Sequence, residues 1–270
     1  MSASIKPDKR KDQHFLIDRD VLRKIVDFAD IHGNEDVLEI GAGPGNLTEL
    51  LAQRARHVYS IEIDPALASL LEERFKDSNV TIIMGNALKV AFPRFDKVVA
   101  NLPYSISSEV TFKLLRHDFR LGILMYQREF ARRMMAKVGE SEYSRLSVGV
   151  QYFADVEVLM KVPPRAFIPP PEVESAVVKL TPRPASYSVK DRGLFMGLVT
   201  AAFMGRRKRL RNALAKGEHV VGITNMKELT LKLPQDLMEM RAEEVSPEEY
   251  ARLADLLCEL RGHEHQDIPG

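Results

Sequence analysis

Val37-Leu38-Glu39-Ile40-Gly41-Ala42-Gly43-Pro44-Gly45 reads as a buried strand running straight into a glycine turn, and the residues that follow, Asn46 to Ala55, carry apolar side chains at helical spacing. A strand, a glycine turn and a helix in that order open a parallel α/β sheet, the kind that binds ligands beyond the C-terminal ends of its strands. Further strands are expected at Val58–Ile61, Val80–Met84, Val98–Ala100 and Leu121–Tyr126, alternating with helices, and an antiparallel pair near Val156–Val162 and Ser175–Leu180 closes the sheet. A Pro- and Ser-containing linker, Thr181 to Ser188, marks a boundary. Beyond it helices are expected at Leu194–Phe203, Leu210–Ala215, Met226–Leu231 and Pro247–Leu260, so the domains read as 1–184 and an all-α 185–270, with His263–Gly270 a frayed tail.

The glycine spacing also speaks to the ligand. Gly-x-Gly-x-Gly lacks the third-glycine offset of dinucleotide-binding turns, and Glu39 stands where a carboxylate repels a pyrophosphate. A cofactor with a positive centre and an amino acid end fits better, and S-adenosylmethionine has both, in its sulfonium and α-ammonium groups. Gly41 and Gly43 are the close-approach positions. About twenty residues on, the second strand ends at Glu62-Ile63-Asp64-Pro65, where Glu62 is placed to bind ribose hydroxyls and Asp64 to cap the helix beginning at Pro65. The third strand delivers Gly85-Asn86-Ala87, whose Asn86 reads either as an adenine contact or as a turn asparagine. Upstream, Gln13-His14-Phe15-Leu16 precedes a helix capped by Asp18 or Asp20; His14 reads as a catalytic base, a metal ligand or a positioning group. No Cys or second His stands at ligand spacing from it, so no metal is expected.

Asn101-Leu102-Pro103-Tyr104 follows the fourth strand. An exocyclic amine on a nucleobase is a poor nucleophile until its lone pair is localised on nitrogen. The Asn101 side-chain oxygen and the Leu102 carbonyl, each taking one N–H, achieve that. Pro103 biases Leu102 away from the helical region and keeps its carbonyl out of the following helix. Tyr104 offers a π face to a base drawn out of its stack. Pro163-Pro164-Arg165-Ala166-Phe167-Ile168-Pro169-Pro170-Pro171 reads as a stiff loop presenting Phe167 as an aromatic prong; the alternative is a connector whose Phe tucks into the core.

Composition agrees with a soluble, cytoplasmic chain: 270 residues, 45% hydrophobic, one cysteine (Cys258), no apolar run of membrane-spanning length and no signal-like N-terminus. The net charge of +1 hides segregation. Arg206, Arg207, Lys208, Arg209 and Arg211 form one basic block and Lys6, Lys9, Arg10 and Lys11 another, while acidic residues dominate from Glu218 onward. The basic blocks are expected to contact RNA phosphates, with Arg128, Arg132, Arg133 and Lys137 extending that surface.

Taken in order, Gln13-His14-Phe15-Leu16, Glu39-Ile40-Gly41-Ala42-Gly43-Pro44-Gly45, Glu62-Ile63-Asp64, Asn101-Leu102-Pro103-Tyr104 and Pro169-Pro170-Pro171-x-Val173-x-Ser175 resemble the KsgA/Dim family of rRNA adenine dimethyltransferases, most closely its archaeal members. The resemblance spans nearly the whole chain. It implies a Rossmann-like S-adenosylmethionine-dependent methyltransferase sheet, mostly parallel with an antiparallel terminal strand, with a small helical C-terminal domain; nothing in the sequence suggests an obligate dimer, so a monomer is expected. The implied reaction places two methyl groups on N6 of each of two adjacent adenosines, in a hairpin near the 3′ end of small-subunit rRNA in the pre-ribosomal subunit. By position it implies cofactor contacts from His14, Leu16, Gly41, Glu62, Asn86 and Asn101, with the target adenine between Tyr104 and Phe167. One departure stands out: the family usually has Asp where this chain has Asn86, whose oxygen is still expected to accept from the adenine amine. The other readings are the related class that methylates large-subunit rRNA, against which the Arg206-bearing second domain speaks, a non-catalytic assembly or transcription factor, and a small-molecule methyltransferase.

Overall fold

The computed structural model describes residues 13–185 and 187–264, so the Lys6–Lys11 basic cluster and the last six residues lie outside the described residues. The chain divides into two compact units, one built from residues up to Arg132 with Ala154–Arg183, the other from Arg133–Phe153 with Pro184 onward.

The first unit contains β1 (Phe15–Leu16), α1 (Arg19–Ala29), β2 (Asp36–Ile40), α2 (Asn46–Ala52), β3 (His57–Glu62), α3 (Pro65–Arg74), β4 (Val80–Met84), β5 (Lys97–Asn101), α4 (Ser107–Leu114), β6 (Leu121–Gln127) and the start of α5 (Arg128–Met135). After α6 (Arg145–Phe153) it resumes with β7 (Ala154–Val162), β8 (Phe167–Ile168) and β9 (Ser175–Pro182). Seven strands form one sheet in the order β4-β3-β2-β5-β6-β9-β7. The first five run parallel, and β9 inserts antiparallel between β6 and β7. Reversal of strand order between β2 and β5 opens a crevice at their C-terminal ends, the place where such sheets bind ligands.

Local chemistry starts the helices where the sequence expects. Asp18 caps α1 by accepting from the N–H groups of Asp20 and Val21, and Asp64 caps α3, with Pro65 at its first position. The proline loop also contributes a two-stranded sheet that periodicity does not reveal: β1 pairs antiparallel with β8, Phe15 opposite Ile168 and Leu16 opposite Phe167.

The second unit holds α6, α7 (Arg192–Met204), α8 (Leu210–Lys216), α9 (Glu218–Val221), α10 (Met226–Lys232), α11 (Gln235–Glu239) and α12 (Pro247–Glu264). Arg133–Phe153, expected within the first domain, belongs to this unit instead. Ala136, Tyr143, Val148 and Tyr152 are buried in one cluster with Leu194, Phe195, Leu198 and Val199, so apolar burial decides its allegiance. At the start of α12, Ser246 Oγ accepts from Glu249 N–H at 3.2 Å while the Glu249 carboxylate accepts from Ser246 N–H at 2.7 Å, a reciprocal cap. Helix α12 runs through Glu264, past the start of the expected frayed tail.

Candidate active site

One cavity at the C-terminal ends of β2, β3 and β5 gathers Gln13, His14, Leu16, Gly41, Gly43, Glu62, Asn101, Leu102 and Tyr104, residues from four separate stretches of sequence. The turn after β2 is its floor. Gly41 and Ala42 donate their N–H groups to the Ile61 carbonyl (2.8 and 3.4 Å), Gly43 donates to Glu62 Oε2 (2.8 Å), and Gly45 donates to the Ala42 carbonyl (3.0 Å). Pro44 has no N–H. The amides that would cradle a phosphate are therefore spent inside the protein, while two carboxylates, Glu39 and Glu62, line the cavity. That donor set suits a ligand bearing positive charge, and the residues fit S-adenosylmethionine better than a dinucleotide.

Gly41 adopts φ +78°, and a Cβ there would stand 3.3 Å from Pro103 Cδ; the missing side chain lets the glycine turn and the Asn101–Tyr104 turn approach. Gly45 (φ +87°) backs onto α3, where a Cβ would lie 2.7 Å from Leu71 Cδ2.

Glu62 is almost fully buried, and its other oxygen, Oε1, accepts from Asp64 N–H at 2.9 Å. It thus braces both the glycine turn and the cap of α3, and each oxygen keeps a lone pair for a ligand hydroxyl. Glu39 is 1% exposed; its Oε2 accepts from Thr48 Oγ1 (2.6 Å) and Ser60 Oγ (2.7 Å). Burial, opposed by these two hydrogen bonds and aided by the charge of Glu62, pushes the Glu39 carboxyl up to about 7 from its ordinary 4.5. An unfolded chain loses that proton near pH 4.5 and the folded one near 7, so this group's contribution is complete below pH 4.5 and lost as pH rises through 7. The loss is expected to amount to about 3 kcal/mol. Denaturant unfolding of wild type and Glu39→Gln at pH 5 and pH 8 measures it: the wild-type protein should weaken relative to the variant, and equal pH dependence would contradict the assignment.

Asn101 ends β5, and its Nδ2 donates to the His14 carbonyl at 3.1 Å. A carbonyl can only receive a donor, so the amide is held with Oδ1 on the opposite side. Leu102 is buried, and the helix that follows takes Pro103 as its first acceptor, from Ile106 N–H and Ser107 Oγ. The Leu102 carbonyl thus stays outside that helix, as Pro103 (φ −57°) is expected to arrange. Tyr104 stacks on His14, ring centroids 5.8 Å apart, and its hydroxyl meets Ser175 Oγ at 2.6 Å. His14 Nδ1 bonds the Pro169 carbonyl at 2.8 Å, so this residue reads as a positioning group linking the β1 segment, the proline loop and the Asn101 turn. Among the described residues no group of three His, Cys, Asp or Glu converges as a metal site, and no helix is long and apolar enough to cross a membrane. Asn46, which the sequence reading passed over, lines the cavity and donates from Nδ2 to the Leu16 carbonyl at 2.9 Å.

One expectation is corrected. Phe167 is not a presented prong: it is 2% exposed and packs in the core with Leu16, Leu22 and Val162, while its neighbour Ile168 is 51% exposed. Strand alternation gives the reason, since pairing of Phe167 with buried Leu16 turns the ring inward and Ile168 outward. Asn86 is not among the residues lining the cavity; the Gly85 N–H before it donates to the Glu62 carbonyl at 2.8 Å. Its Oδ1, expected to accept from an adenine amine, caps its own turn by accepting from Leu88 N–H at 2.8 Å.

The Arg206 block in the second unit is subdivided. Arg206 bonds Glu243 and the Ser141 carbonyl, and Arg209 and Arg211 both meet Glu239. Arg207 and Lys208 are exposed beside Arg241 in one cleft, and no ion pair engages these three among the described residues. In the first unit Arg128 pairs with Glu174.

The ribosomal RNA adenine dimethylase family model matches residues 6–259. Probable ribosomal RNA small subunit methyltransferases A from Methanococcoides burtonii and Methanosarcina barkeri are 54% and 55% identical over 251 residues, covering 93% of this chain and 93% and 88% of themselves. A solved dimethyladenosine transferase from Plasmodium falciparum is similar with TM-score 0.76 and 33% identity, over 93% of this chain and 98% of that one. The 23S rRNA methyltransferase ErmE is similar with TM-score 0.64 and 28% identity, over 90% of this chain and 99% of its own. Since that likeness runs so far along the chain, possession of a second domain does not by itself separate the two classes.

Proposed function

The chain belongs to the ribosomal RNA adenine dimethylase family, and on that premise we propose that it uses S-adenosylmethionine to place two methyl groups on N6 of each of two adjacent adenosines, in a hairpin near the 3′ end of small-subunit rRNA. It does so as a cytoplasmic monomer acting on the pre-ribosomal small subunit. The observation that carries this reading is the fixed amide of Asn101: with Nδ2 held by the His14 carbonyl, Oδ1 is the acceptor left for an incoming amine.

When bound, S-adenosylmethionine supplies an electrophilic methyl group on a sulfonium. Gln13, His14, Leu16, Gly41, Gly43, Glu62 and Asn101, which line the cavity, would hold it. Asn101 Oδ1 and the Leu102 carbonyl accept the two N–H bonds of the target amine, localising its lone pair for in-line attack, and Tyr104 stacks on the flipped base. The proton leaves after methylation, when the nitrogen has become acidic, so no side chain is assigned as base.

Labelled methyl transfer to immature small ribosomal subunits, followed by mass analysis of digested nucleosides, tests the reading. Dimethyladenosine is the expected product. No incorporation despite measurable cofactor and RNA binding would instead make the chain a non-catalytic assembly factor.

RNA recognition falls to the helical unit, where Arg207, Lys208 and Arg241 stand beside one cleft with no ion pair among the described residues. Replacing Arg207 and Lys208 by Gln is expected to flatten the slope of log affinity against log salt by about 0.7–0.9 for each charge removed. Arg209→Gln and Arg211→Gln, which share the one carboxylate of Glu239, should each change the slope less in the same titration.

A further inference from the structure

Ser175 opens β9 as a polar residue in an apolar stretch. It is fully buried, and so are Ala176, Val177 and Val178 after it. Pairing sets it between two strands, opposite Gln127 of β6 and Val162 of β7. A buried hydroxyl that bonds nothing costs stability, so the interior of a sheet disfavours serine unless a partner faces it. Among the described residues the Ser175 Oγ has one side-chain partner, the Tyr104 hydroxyl at 2.6 Å. Tyr104 lines the cavity, and Ser175 is not among the residues that do.

The bond completes a frame around the Tyr104 ring. At the backbone end the Pro103 carbonyl accepts from Ile106 N–H and Ser107 Oγ, each at 3.3 Å. Beside the ring lies His14, with centroids 5.8 Å apart and planes 27° from parallel. At the far end stands Ser175, on a strand paired along both edges. A tyrosine ring moves about two torsions: the first swings the whole ring, and the second turns its plane about the line from Cβ to the hydroxyl oxygen. A hydrogen bond at that oxygen lies on the line, so it fixes the swing and leaves the turn, which the stacked imidazole restrains. We propose that Ser175 is a positioning residue for methyl transfer, holding the axis of the Tyr104 ring, and so the surface on which the target adenine stacks, before the RNA arrives. A ring fixed in advance loses no freedom when the base docks on it, and that loss otherwise weakens binding. This inference rests on the reading of Tyr104 as the stacking surface for the target base.

Steady-state methyl transfer by the full chain to immature small ribosomal subunits, for Ser175→Ala, Tyr104→Phe and the two together, tests it as a double-mutant cycle. Each substitution removes one hydroxyl and keeps the ring. Either is expected to lower kcat/KM for the subunit about five- to tenfold, and the pair no further, because both delete the same bond. Affinity for S-adenosylhomocysteine is expected to stay within about twofold of wild type, which a general loosening of the sheet around the cavity would not allow. Ser175→Ala with unchanged kcat/KM overturns the inference. So does a pair whose losses multiply, since Ser175 then acts other than through Tyr104. If thermal unfolding shows that Ser175→Ala does not fold, Tyr104→Phe decides alone, by loss or retention of kcat/KM. Tyr104→Ala separates the inference from the reading beneath it. Transfer at the wild-type rate by that variant removes the stacking role and the inference with it; transfer lost in Tyr104→Ala but kept in Ser175→Ala leaves the stacking role and removes only the positioning one.

Discussion

Asn101→Ala is expected to slow methyl transfer to small-subunit rRNA by about 10²–10³-fold, a loss of the size seen when one fixed group facing developing charge is removed. Positive charge grows on the amine nitrogen as it attacks, and only an acceptor already aimed at its N–H bonds stabilises that change without reorganising. The structure supplies the aim: β5 carries Asn101 to its end in register with Met125 of β6, and the His14 carbonyl fixes which face of the amide is oxygen. Alanine removes the acceptor and releases the β1 segment together. Asn101→Asp separates the two effects. A carboxylate keeps an acceptor and loses the donor that meets His14, so its kcat should fall less while the KM for cofactor rises through the loosened segment. Steady-state kinetics of both variants, with thermal unfolding as the folding control, decides the matter. An alanine variant with near-normal kcat would remove the paired-acceptor mechanism.

At the opposite end of the same strand, Glu35→Ala is expected to cost about 3–5 kcal/mol of stability without altering the cavity. Lys97, the first residue of β5, is buried with its ammonium 3.0 Å from Glu35 Oε2 and bonded to the carbonyls of Ala29 and Asp30, where α1 ends. Glu35, itself buried, also receives His32 N–H at 2.7 Å and pairs with Arg120. One carboxylate therefore joins the end of α1 to β5 and to the entry of β6. Burial already pulls the Lys97 ammonium down, and deleting its carboxylate leaves a buried cation facing carbonyls alone. Chemical denaturation of wild type and variant measures the cost. A loss below about 1 kcal/mol would mean that water replaces the carboxylate and the cluster is not a structural staple.

The two outcomes concern opposite ends of β5, and the sequence speaks very differently about them. Asn101 stands in a tetrapeptide whose residue types carry their own chemistry. Glu35 and Lys97 are sixty-two positions apart and neither carries a local signal; only the parallel pairing of β2 with β5 brings their surroundings together. The same contrast recurs across the molecule. Helix starts were legible at Asp18, Asp64 and Ser246 because a cap acts within three or four residues of itself. The strands were legible because short runs rich in apolar and β-branched residues, bounded by turn residues, need no distant partner to declare themselves.

Phe167 shows where that ends. A proline-rich stretch around an aromatic residue states that the ring is held stiffly, and nothing in it states which way the ring faces. Pairing with Leu16, some hundred and fifty residues earlier, turned it into the core. The Arg206 block is similar: its charge was plain, but Glu239 and Glu243, about thirty to forty residues later, decide which guanidinium groups remain for a phosphate. The sequence by itself determined the order along the chain of the main sheet's strands, the glycine turn and the residue types of the Asn101–Tyr104 turn, since these follow from backbone and side-chain chemistry acting over a few residues. Only the tertiary structure decided the facing of Phe167, the orientation of Asn86, the allegiance of Arg133–Phe153 and the pairing of the basic block. Burial and long-range hydrogen bonding are properties of neighbours in space, and a linear chain does not state them.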